Sequence, residues 1–371
     1  MRIGVDARIL TEKTTGIGNY LYHILKELSV LDKENEYFLY MFQEGCVVFD
    51  NPRWKKRIAS RYFPTSMAWM LTQGAGMVLK DRVDVLWAPW PTVPFFLPTK
   101  IVVTVHDFVW RHYPESVGAT YSFLCKVMTT PSISRADVVF SVSEATQNDV
   151  RRFYPGKKDL RVTYNSVDPI YKPCDKVFAR KYLSDKFGLR KPFLFDVATL
   201  EPKKNLPTLF RAFKKLKVDH GIEHQLVIAG GKGWKDSLIY QTYAELDFQS
   251  DEVVFLGYVE NEDLKMLYNA ADVFVFPSLW EGFGIPPLEA MNCGCPVVVS
   301  NIPALTEVVG DCGLKADPFD HEKIADLIKK FLDSPSLRNE FILKGLERSK
   351  KFSWSQSARV VLDTFNRIYE K

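Results

Sequence analysis

Short apolar runs rich in β-branched residues alternate with amphipathic stretches along almost the whole chain. Several of these runs show no alternation with polar residues, as at positions 101–105 (Ile-Val-Val-Thr-Val), which is typical of strands buried on both faces. Helical patterns lie between them, for example at residues 19–28 and 206–216. This arrangement predicts doubly wound α/β sheets with parallel strands. The predicted strands are residues 3–7, 84–88, 101–106, 136–142 and 160–164, then 193–198, 225–229, 253–256, 272–276 and 296–300.

A polar, proline-bracketed segment at residues 168–191 interrupts the series of strands. The chain has 371 residues, which is more than one typical hydrophobic core accommodates. We therefore predict one Rossmann-like domain over residues 1–170 and a second over residues 171–355. An amphipathic helix over residues 356–371 ends the sequence, with Ser355 as its expected N-cap.

Composition and cysteine usage narrow the class of protein. Hydrophobic residues make up 46% of the chain and charged residues 25%, as in soluble globular proteins. No apolar run reaches the length of a membrane-spanning helix (about 18 residues), and Asp6 in the first apolar run argues against a signal peptide. The six cysteines form no pair of Cys-x-x-Cys units, which argues against a zinc site. A reduced cytoplasmic protein is the simplest interpretation.

The net charge of +4 lies in the first half, because residues 1–170 carry 21 basic and 17 acidic side chains. Part of the excess falls in residues 54–70, where basic residues are interleaved with aromatic ones. Such a stretch could lie on an anionic membrane surface, although an ordinary solvated face is the favoured interpretation. The excess is small and no recognition motif accompanies it, which argues against a nucleic-acid partner.

Open parallel sheets bind ligands outside the carboxyl ends of their strands, so residues that follow predicted strands are the candidates. Gly16 and Gly18 open a helix after the first strand, where a phosphate could approach the backbone N–H groups. Leu21 replaces the third glycine of a dinucleotide fingerprint, which argues against a nicotinamide cofactor. His106 ends the run at 101–105, where an imidazole can hydrogen-bond a sugar hydroxyl. A plain tight turn and a structural histidine are the respective alternatives.

The most specific local pattern follows the strand at 272–276 and spans residues 277–291, Pro-Ser-Leu-Trp-Glu-Gly-Phe-Gly-Ile-Pro-Pro-Leu-Glu-Ala-Met. Glu281 lies in its glycine-rich loop, the two prolines suit the first turn of a helix, and Glu289 falls one turn further on. Backbone N–H groups at such a helix start face an anion, while the two carboxylates accept hydrogen bonds from hydroxyls. A nucleotide sugar requires this combination, whereas a capped helix with a solvated acid is the alternative.

Lys203 and Lys204 follow the strand at 193–198, at the corresponding end of the second predicted sheet. A lysine at this place would neutralise charge on a departing diphosphate, a task that a divalent metal performs in other enzymes. A solvated face is the alternative for two adjacent lysines.

Together these residues resemble the retaining glycosyltransferases of family 4, which have the GT-B fold, two Rossmann-like domains whose parallel sheets face each other across a cleft. The resemblance covers essentially the whole chain, and its most specific element is the Glu-x7-Glu motif from Glu281 to Glu289. It implies that the helix at 356–371 packs on the first domain. The other elements that carry it are Gly16 and Gly18, His106-Asp107, Glu201-Pro202-Lys203-Lys204-Asn205 and the terminal Phe352-Ser353-Trp354.

The resemblance implies a site for a nucleoside diphosphate sugar that needs neither a metal nor another cofactor. Glu289 would hold the ribose diol, Glu281 a hydroxyl of the donor sugar, and Lys204 the diphosphate. The amides of Gly282, Phe283 and Gly284 and the helix start at Ile285 would face the sugar and the diphosphate. Gly16 and Gly18 would border the diphosphate, and His106 would lie beside the transferred sugar. The backbone of Tyr258 and Val259 would contact the base.

The chain departs from the family pattern at Ala198-Thr199, where many members have Gly-Arg and hence a second cation for the diphosphate. Lys203 is the expected substitute, with looser geometry than an arginine, and Thr199 is counted among the donor contacts. A threonine here is similar to a subset that includes GDP-mannose-dependent mannosyltransferases. GDP-mannose is therefore the predicted donor and a UDP-hexose the alternative. The predicted acceptor is a growing surface glycan or lipid-linked oligosaccharide, as in lipopolysaccharide synthesis, at the inner face of the cytoplasmic membrane.

Retention in this family implies front-face attack, in which the leaving phosphate accepts the proton of the acceptor and no covalent nucleophile is required. Catalysis would then be electrostatic, so that loss of Lys204 or Glu281 lowers turnover by roughly two orders of magnitude. Turnover is expected to survive excess EDTA. The other functions considered are a nucleotide-sugar epimerase, a phosphorylase with pyridoxal phosphate, and a catalytically silent partner subunit. The presence of Glu281, Glu289, Lys204 and His106 argues against the silent subunit.

Overall fold

The computed structural model describes residues 1–10, 16–45, 51–59, 63 and 65–370. The chain folds into two compact units, both of the α/β class. The first unit comprises Met1–Trp110, Gly118–Asn165 and Ser353–Lys371, and the second comprises Arg111–Val117 and Ser166–Phe352.

The first unit is built on one sheet. Its strands are β1 (Arg2–Asp6), β2 (Glu36–Met41), β3 (Trp54–Ile58), β4 (Val85–Ala88), β5 (Lys100–Val105), β6 (Val138–Ser141) and β7 (Leu160–Val162). Across the described residues all seven strands are parallel, in the order β3-β2-β1-β4-β5-β6-β7. The direction of winding reverses between β1 and β4, which makes the carboxyl ends of these strands the expected binding crevice.

Helices cover this sheet. Those of the first unit are α1 (Ile17–Leu31), α2 (Ser66–Trp69), α3 (Ala75–Asp81), α6 (Ala119–Arg135) and α7 (Glu144–Phe153), with a π-helical turn at Met70–Gly74. The short helix α4 (Val109–His112) crosses from the first unit into the second after Trp110, and α5 (Pro114–Val117) belongs to the second unit. The start of α7 shows why a helix begins there, because the Ser143 hydroxyl caps it by accepting a hydrogen bond from the Thr146 N–H at 2.9 Å.

The terminal helix α16 (Trp354–Tyr369) packs on α1. Its aromatic anchor is Trp354, whose ring stacks on His23 with centroids 4.9 Å apart. The expected N-cap was wrong by two residues: Ser353, not Ser355, accepts the hydrogen bond from the Gln356 N–H. Both serines precede the amphipathic pattern, but Ser355 already has helical geometry and Ser353 has the extended backbone of a cap.

The basic and aromatic stretch at 54–70 begins with strand β3. Trp54 stacks on Tyr37 of β2 at 4.4 Å, and Arg57 forms an ion pair with Asp81 at 2.8 Å. These side chains therefore stabilise the edge of the sheet. Part of the stretch, including residues 60–62, lies outside the described residues.

The second unit repeats the same plan. Its strands are β8 (Phe193–Val197), β9 (Gln225–Ala229), β10 (Val253–Gly257), β11 (Val273–Phe276), β12 (Val297–Ser300) and β13 (Leu314–Ala316). Within 166–352, which the structure describes throughout, these six strands are parallel in the order β10-β9-β8-β11-β12-β13. The switch point lies between β8 and β11. Two Rossmann-like parallel sheets confirm the fold class predicted from the sequence.

Both faces of the second sheet are covered. The helices are α8 (Lys176–Phe187), α9 (Leu206–His220), α10 (Ser237–Glu245), α11 (Asn261–Ala270), α12 (Ile285–Asn292), α13 (Pro303–Val309), α14 (His321–Asp333) and α15 (Pro335–Ser349), with a 3-10 turn at Pro202–Lys204. Apolar side chains of α9 and α14 form a continuous core with β8, β9 and β11. In the described ranges no helix combines the length and apolarity needed to cross a bilayer.

Candidate active site

The switch point of the second sheet brings two predicted site residues together. Lys204 ends the 3-10 turn that follows β8, and Glu281 lies in the loop that follows β11. Because β8 and β11 are neighbouring parallel strands, their following loops leave the same edge of the sheet side by side. Residues 77 positions apart in sequence therefore meet at the expected binding crevice.

Lys204 and Glu281 form a largely buried ion pair. The Nζ of Lys204 donates to Oε1 of Glu281 at 2.7 Å, and the two side chains are 14% and 13% exposed. The same ammonium lies 4.8 Å from the centroid of the Phe276 ring. Burial opposes ionisation of Glu281, but Lys204 and then Lys203 lower its pKa below the usual value. The pair is therefore charged, and its cation is available to an incoming anion at the cost of one hydrogen bond.

Backbone and amide contacts fix the two loops to each other. Asn205, in the left-handed region at φ 58°, donates from Nδ2 to the carbonyl oxygens of Pro277 and Pro318 at 3.0 and 2.6 Å. The Leu279 N–H donates to the Lys203 carbonyl at 2.8 Å. These hydrogen bonds hold the two loops in a fixed relation to each other, which lowers the ordering cost of ligand binding.

Gly284 makes the turn into α12. Its φ of 106° favours glycine, and a Cβ at this position would lie 2.4 Å from Cδ2 of Leu305. The helix then starts at Ile285 with prolines in its first turn, as predicted. Gly282 and Phe283 are buried, and the Phe283 ring packs edge-on against Phe352 at 5.4 Å.

Glu289 lies one turn into α12 and has its own partner. The Tyr268 hydroxyl donates to its Oε2 at 2.8 Å. Burial raises the pKa of Glu289 to about 7, an effect that the hydrogen bond from Tyr268 opposes and the negative charge of Asp168 reinforces. The carboxyl is therefore poised between its two protonation states near neutral pH, with Oε2 already accepting one hydrogen bond.

The remaining predicted residues of the second unit are more open. Lys203 lies 3.5 Å from Oε1 of Glu201, whereas Thr199 is exposed. Tyr258 and Val259 follow the edge strand β10, and Tyr258 is 57% exposed. These five side chains line the same carboxyl edge of the sheet as Lys204, because each follows the end of β8 or β10.

In the first unit His106 directly follows β5. Its Nε2 lies 2.8 Å from the carbonyl oxygen of Pro89, so this nitrogen carries the hydrogen and donates it. Burial lowers the pKa of His106 to about 4, against the opposing effects of the Pro89 carbonyl and Asp107. The ring packs edge-on against Tyr20, with centroids 5.1 Å apart. A neutral imidazole with an occupied Nε2 can offer Nδ1 as an acceptor.

The predicted glycine loop also belongs to the first unit. Gly16 is exposed and has φ 47°, and among the described residues no atom would lie within 4 Å of an added Cβ, while Gly18 is buried in the first turn of α1. Residues 11–15, which lead into this turn, lie outside the described part of the chain. The site role of Gly16 and Gly18 therefore stays a prediction.

Sequence reasoning missed three features near the second-unit site. Asp196 of β8 is buried beside Lys204 and Glu281, and the acid within the run Phe-Leu-Phe-Asp-Val was its only signal. The loop at 230–233 (Gly-Gly-Lys-Gly) follows β9, and a Cβ on Gly230 would lie 1.9 Å from the Ala198 carbonyl oxygen. His112 stacks on Trp280 at 3.7 Å, a contact between distant segments that no local pattern indicates.

Throughout the described ranges, no group of three or more His, Cys, Asp or Glu side chains is arranged to hold a metal ion. Metal independence nevertheless stays a prediction, which an assay must decide.

Two family models match the chain over most of its length. The model "Glycosyltransferase Family 4" matches residues 14–170, and the model "Glycosyl transferases group 1" matches residues 183–348.

Similar proteins agree with these matches. The chain is 29% identical to O-antigen chain mannosyltransferase B of Escherichia coli, over 95% of this chain and 96% of that protein. It is 32% identical to an uncharacterized glycosyltransferase of Methanocaldococcus jannaschii, over 71% of this chain and 74% of that protein. The solved structure of Anabaena HepE in complex with UDP-glucose matches with a TM-score of 0.77 and 18% identity, over 99% of each chain. At that identity the likeness to HepE shows the fold.

Proposed function

The chain belongs to the family 4 glycosyltransferases, and on this basis we propose that it is a retaining, metal-independent hexosyltransferase that uses a nucleoside diphosphate sugar. The preferred donor is GDP-mannose. The observation that carries the proposal is the pair of Lys204 and Glu281 at the switch point of the second sheet, beside the glycine-rich entrance to α12. This arrangement offers a cation, backbone N–H groups and carboxylates within one crevice.

Each charged group has a separate task in this proposal. Lys204 exchanges its bond with Glu281 for the diphosphate, and Glu281 then accepts a hydrogen bond from a donor hydroxyl. Glu289 accepts hydrogen bonds from the ribose diol through the oxygen that Tyr268 does not occupy. The positive end of α12 at Ile285 favours the negative charge that develops on the leaving diphosphate.

The remaining contacts position the donor. The amides of Gly282, Phe283 and Gly284 face the sugar and diphosphate, and Thr199 and Lys203 border the diphosphate where other members use an arginine. The backbone of Tyr258 and Val259 contacts the base, and the family resemblance assigns Gly16 and Gly18 to the diphosphate.

His106 acts as a neutral acceptor in this mechanism. Its Nε2–H is held by the Pro89 carbonyl, so Nδ1 accepts a hydrogen bond from a hydroxyl of the transferred sugar. A low pKa keeps the ring uncharged at neutral pH, and His106 therefore orients the sugar and does not transfer a proton. The leaving phosphate takes the proton of the acceptor hydroxyl, and the stretched glycosidic bond breaks as the new one forms on the same face.

The names of similar proteins bear on donor and acceptor. The E. coli relative is an O-antigen chain mannosyltransferase, which favours mannose and a growing O-antigen or other lipid-linked glycan as acceptor. HepE was solved with UDP-glucose, which keeps a UDP-hexose as the alternative donor. A threonine at 199 in place of the usual arginine is the sequence feature that favours GDP-mannose.

A lipid-linked acceptor would require the cytoplasmic protein to approach the membrane. The residues of β3 are paired with β2 in the sheet, so α6 is the better contact surface. Its Phe123 side chain is 68% exposed, and the helix contains two basic residues and no acidic one. Further exposed apolar residues on α6 are Tyr121, Leu124 and Val127. A weak, salt-dependent contact with anionic lipid follows from this composition.

A donor panel tests the proposed function. Purified protein is incubated with GDP-mannose, UDP-glucose or UDP-galactose, each with and without a glycan acceptor and with excess EDTA. The proposal expects acceptor-dependent release of GDP that EDTA leaves unchanged and that Lys204→Met reduces by roughly two orders of magnitude.

Each rival function gives a different result in the same panel. Isomerisation of the donor without acceptor identifies an epimerase, and phosphate-dependent sugar release with the absorbance of pyridoxal identifies a phosphorylase. Calorimetry without binding of any nucleotide supports a catalytically silent partner subunit. Loss of activity in EDTA that magnesium restores contradicts metal independence.

A further inference from the structure

Asp196 is a buried acid to which the proposed chemistry gives no task. It lies one residue before the carboxyl end of β8 and is 1% exposed. Among the described residues, neither of its carboxylate oxygens has a hydrogen-bond partner of good geometry. Burial of an ionised carboxylate without a partner is costly, so the surroundings must supply either a counter-charge or a proton.

The charges that face Asp196 come from the two loops of the candidate site. Burial raises the pKa of Asp196 to about 7; Lys204 and the Val197 N–H oppose this rise, and Glu281 reinforces it. Its partners in the sheet are apolar, with Ile228 of β9 directly beside it in register. On the side of the loops, Asp196 therefore faces one cation and one anion.

Asp196 is the carboxylate in excess at this site. Lys204 is engaged by Glu281 at 2.7 Å, and Lys203 lies 3.5 Å from Glu201. Each of these ion pairs is neutral in itself. Within the described part of the chain Asp196 is therefore a further carboxyl that has no cation of its own, and Lys204 is the charged group that stabilises its ionised form. Any further negative charge at Lys204 acts directly on the ionisation of Asp196.

We propose that Asp196 is a positioning residue that takes up a proton from solvent when the donor diphosphate binds to Lys204, and that its neutral carboxyl then leaves the full charge of Lys204 to the diphosphate. The inference rests on the proposed function, because the diphosphate must bind at Lys204. An ionised Asp196 would compete with the phosphate oxygens for that charge, whereas the protonated acid does not.

The sign of the pH dependence follows by linkage. Bound diphosphate makes the ionised form of Asp196 less favourable, so this group takes up a proton on binding, and its contribution favours binding at pH 6 over pH 8. With half of Asp196 ionised at pH 7, the uptake by this group approaches about half a proton there, and its contribution lowers the affinity by up to about tenfold from pH 6 to 8. Glu289 acts in the opposite sense, because hydrogen bonds from the ribose diol favour its ionised form, so that Glu289 releases a proton when the nucleotide binds.

Calorimetry of the full chain with GDP, or with UDP if GDP does not bind, measures this uptake. Titrations in two buffers of different ionisation enthalpy count the protons exchanged by wild type and by Asp196→Asn, which keeps the shape but cannot ionise. Protons exchanged by the nucleotide and by Glu289 are common to both proteins, so the difference isolates Asp196. Asp185→Asn, at an acid that is 67% exposed on α8, is the control.

At pH 7 wild type is expected to take up about half a proton more than Asp196→Asn and the same number as Asp185→Asn. At pH 8 Asp196→Asn is expected to bind up to about tenfold more tightly than wild type, and at pH 6 equally. Equal proton counts in wild type and Asp196→Asn, both folded and binding, overturn the inference. Asp196→Ser gives the same comparison if the asparagine variant does not fold. Wild type that binds neither GDP nor UDP refutes the proposed function itself.

Discussion

Variants of the ion pair between Lys204 and Glu281 can distinguish a role of the pair in stability from a role in catalysis. Lys204→Met and Glu281→Gln each remove one charge with little change in volume, and the double variant removes both. If the pair served stability alone, the double variant would recover whatever the single variants lose. A site that needs the charges for catalysis recovers stability but not turnover.

The magnitude follows from the geometry. At 2.7 Å and with about one seventh of each side chain exposed, the pair is largely desolvated. Removing one partner of such a pair strands a buried charge and costs about 3–5 kcal/mol of unfolding free energy. In Lys204→Met the stranded Glu281 also lies near Asp196, and Lys203 compensates in part, so we expect about 3 kcal/mol. In the double variant Asp196 loses the cation that it faces but can take up a proton, so no buried charge is stranded and the variant is expected within about 1 kcal/mol of wild type.

Urea denaturation measures the stability of the four proteins, and turnover is measured at saturating donor and acceptor. Each single variant is expected to lose roughly two orders of magnitude in turnover, about 3 kcal/mol of barrier, and the double variant to lose at least as much. The exposed pair of Lys181 and Asp185, also at about 3.0 Å but 77% and 67% exposed, is the matched control. Its neutralised variants are expected to show almost no coupling in stability and unchanged turnover.

Two results would refute this reasoning. Turnover of Lys204→Met within threefold of wild type would remove the lysine from the catalytic machinery. A double variant as unstable as the sum of the single variants would show that the side chains are not coupled as the structure places them.

Three further predictions test other parts of the structure. Gly284→Ala places a Cβ within 2.4 Å of Leu305 at a left-handed φ, so we expect thermal unfolding to show a loss of about 1–3 kcal/mol in stability and calorimetry to show weaker nucleotide binding. The control Gly76→Ala, which has open space around it in a helix, should be neutral or stabilising. Equal stability of the two variants would count against the tight turn at Gly284. Nitrogen NMR should find His106 as the neutral Nε2–H tautomer from pH 6 to 8, because its pKa is lowered to about 4; a titration near pH 6.5 would contradict the buried contact. Anionic vesicles should retain wild type at low salt more strongly than Phe123→Ser, and equal retention would exclude α6 as the contact surface.

The sequence predicted the fold class because strands covered on both faces leave an unmistakable pattern. Continuous apolar runs such as the one at β5 appear in both halves, and the helices between them fix a parallel sheet. The strands that were missed lie at or near sheet edges. β2 reads Glu-Tyr-Phe-Leu-Tyr-Met, β3 reads Trp-Lys-Lys-Arg-Ile, and β13 has three residues. β3 and β13 are partly solvated edge strands, so their composition resembles that of a loop. β2 is buried, and its apolar run was a signal that the sequence offered.

The sequence by itself also determined which residues could carry the chemistry, since Gly284, Glu289 and the lysines after β8 belong to local patterns of strand end, turn and helix start. Tertiary structure alone decided what those residues contact. It paired Lys204 with Glu281 across 77 positions and buried Asp196 beside these two charged side chains. It also placed the Pro89 carbonyl where it accepts a hydrogen bond from Nε2 of His106. The physical reason is that spatial neighbours at a switch point follow from strand order, which is set by packing of the whole sheet, whereas local sequence sets only where each strand ends.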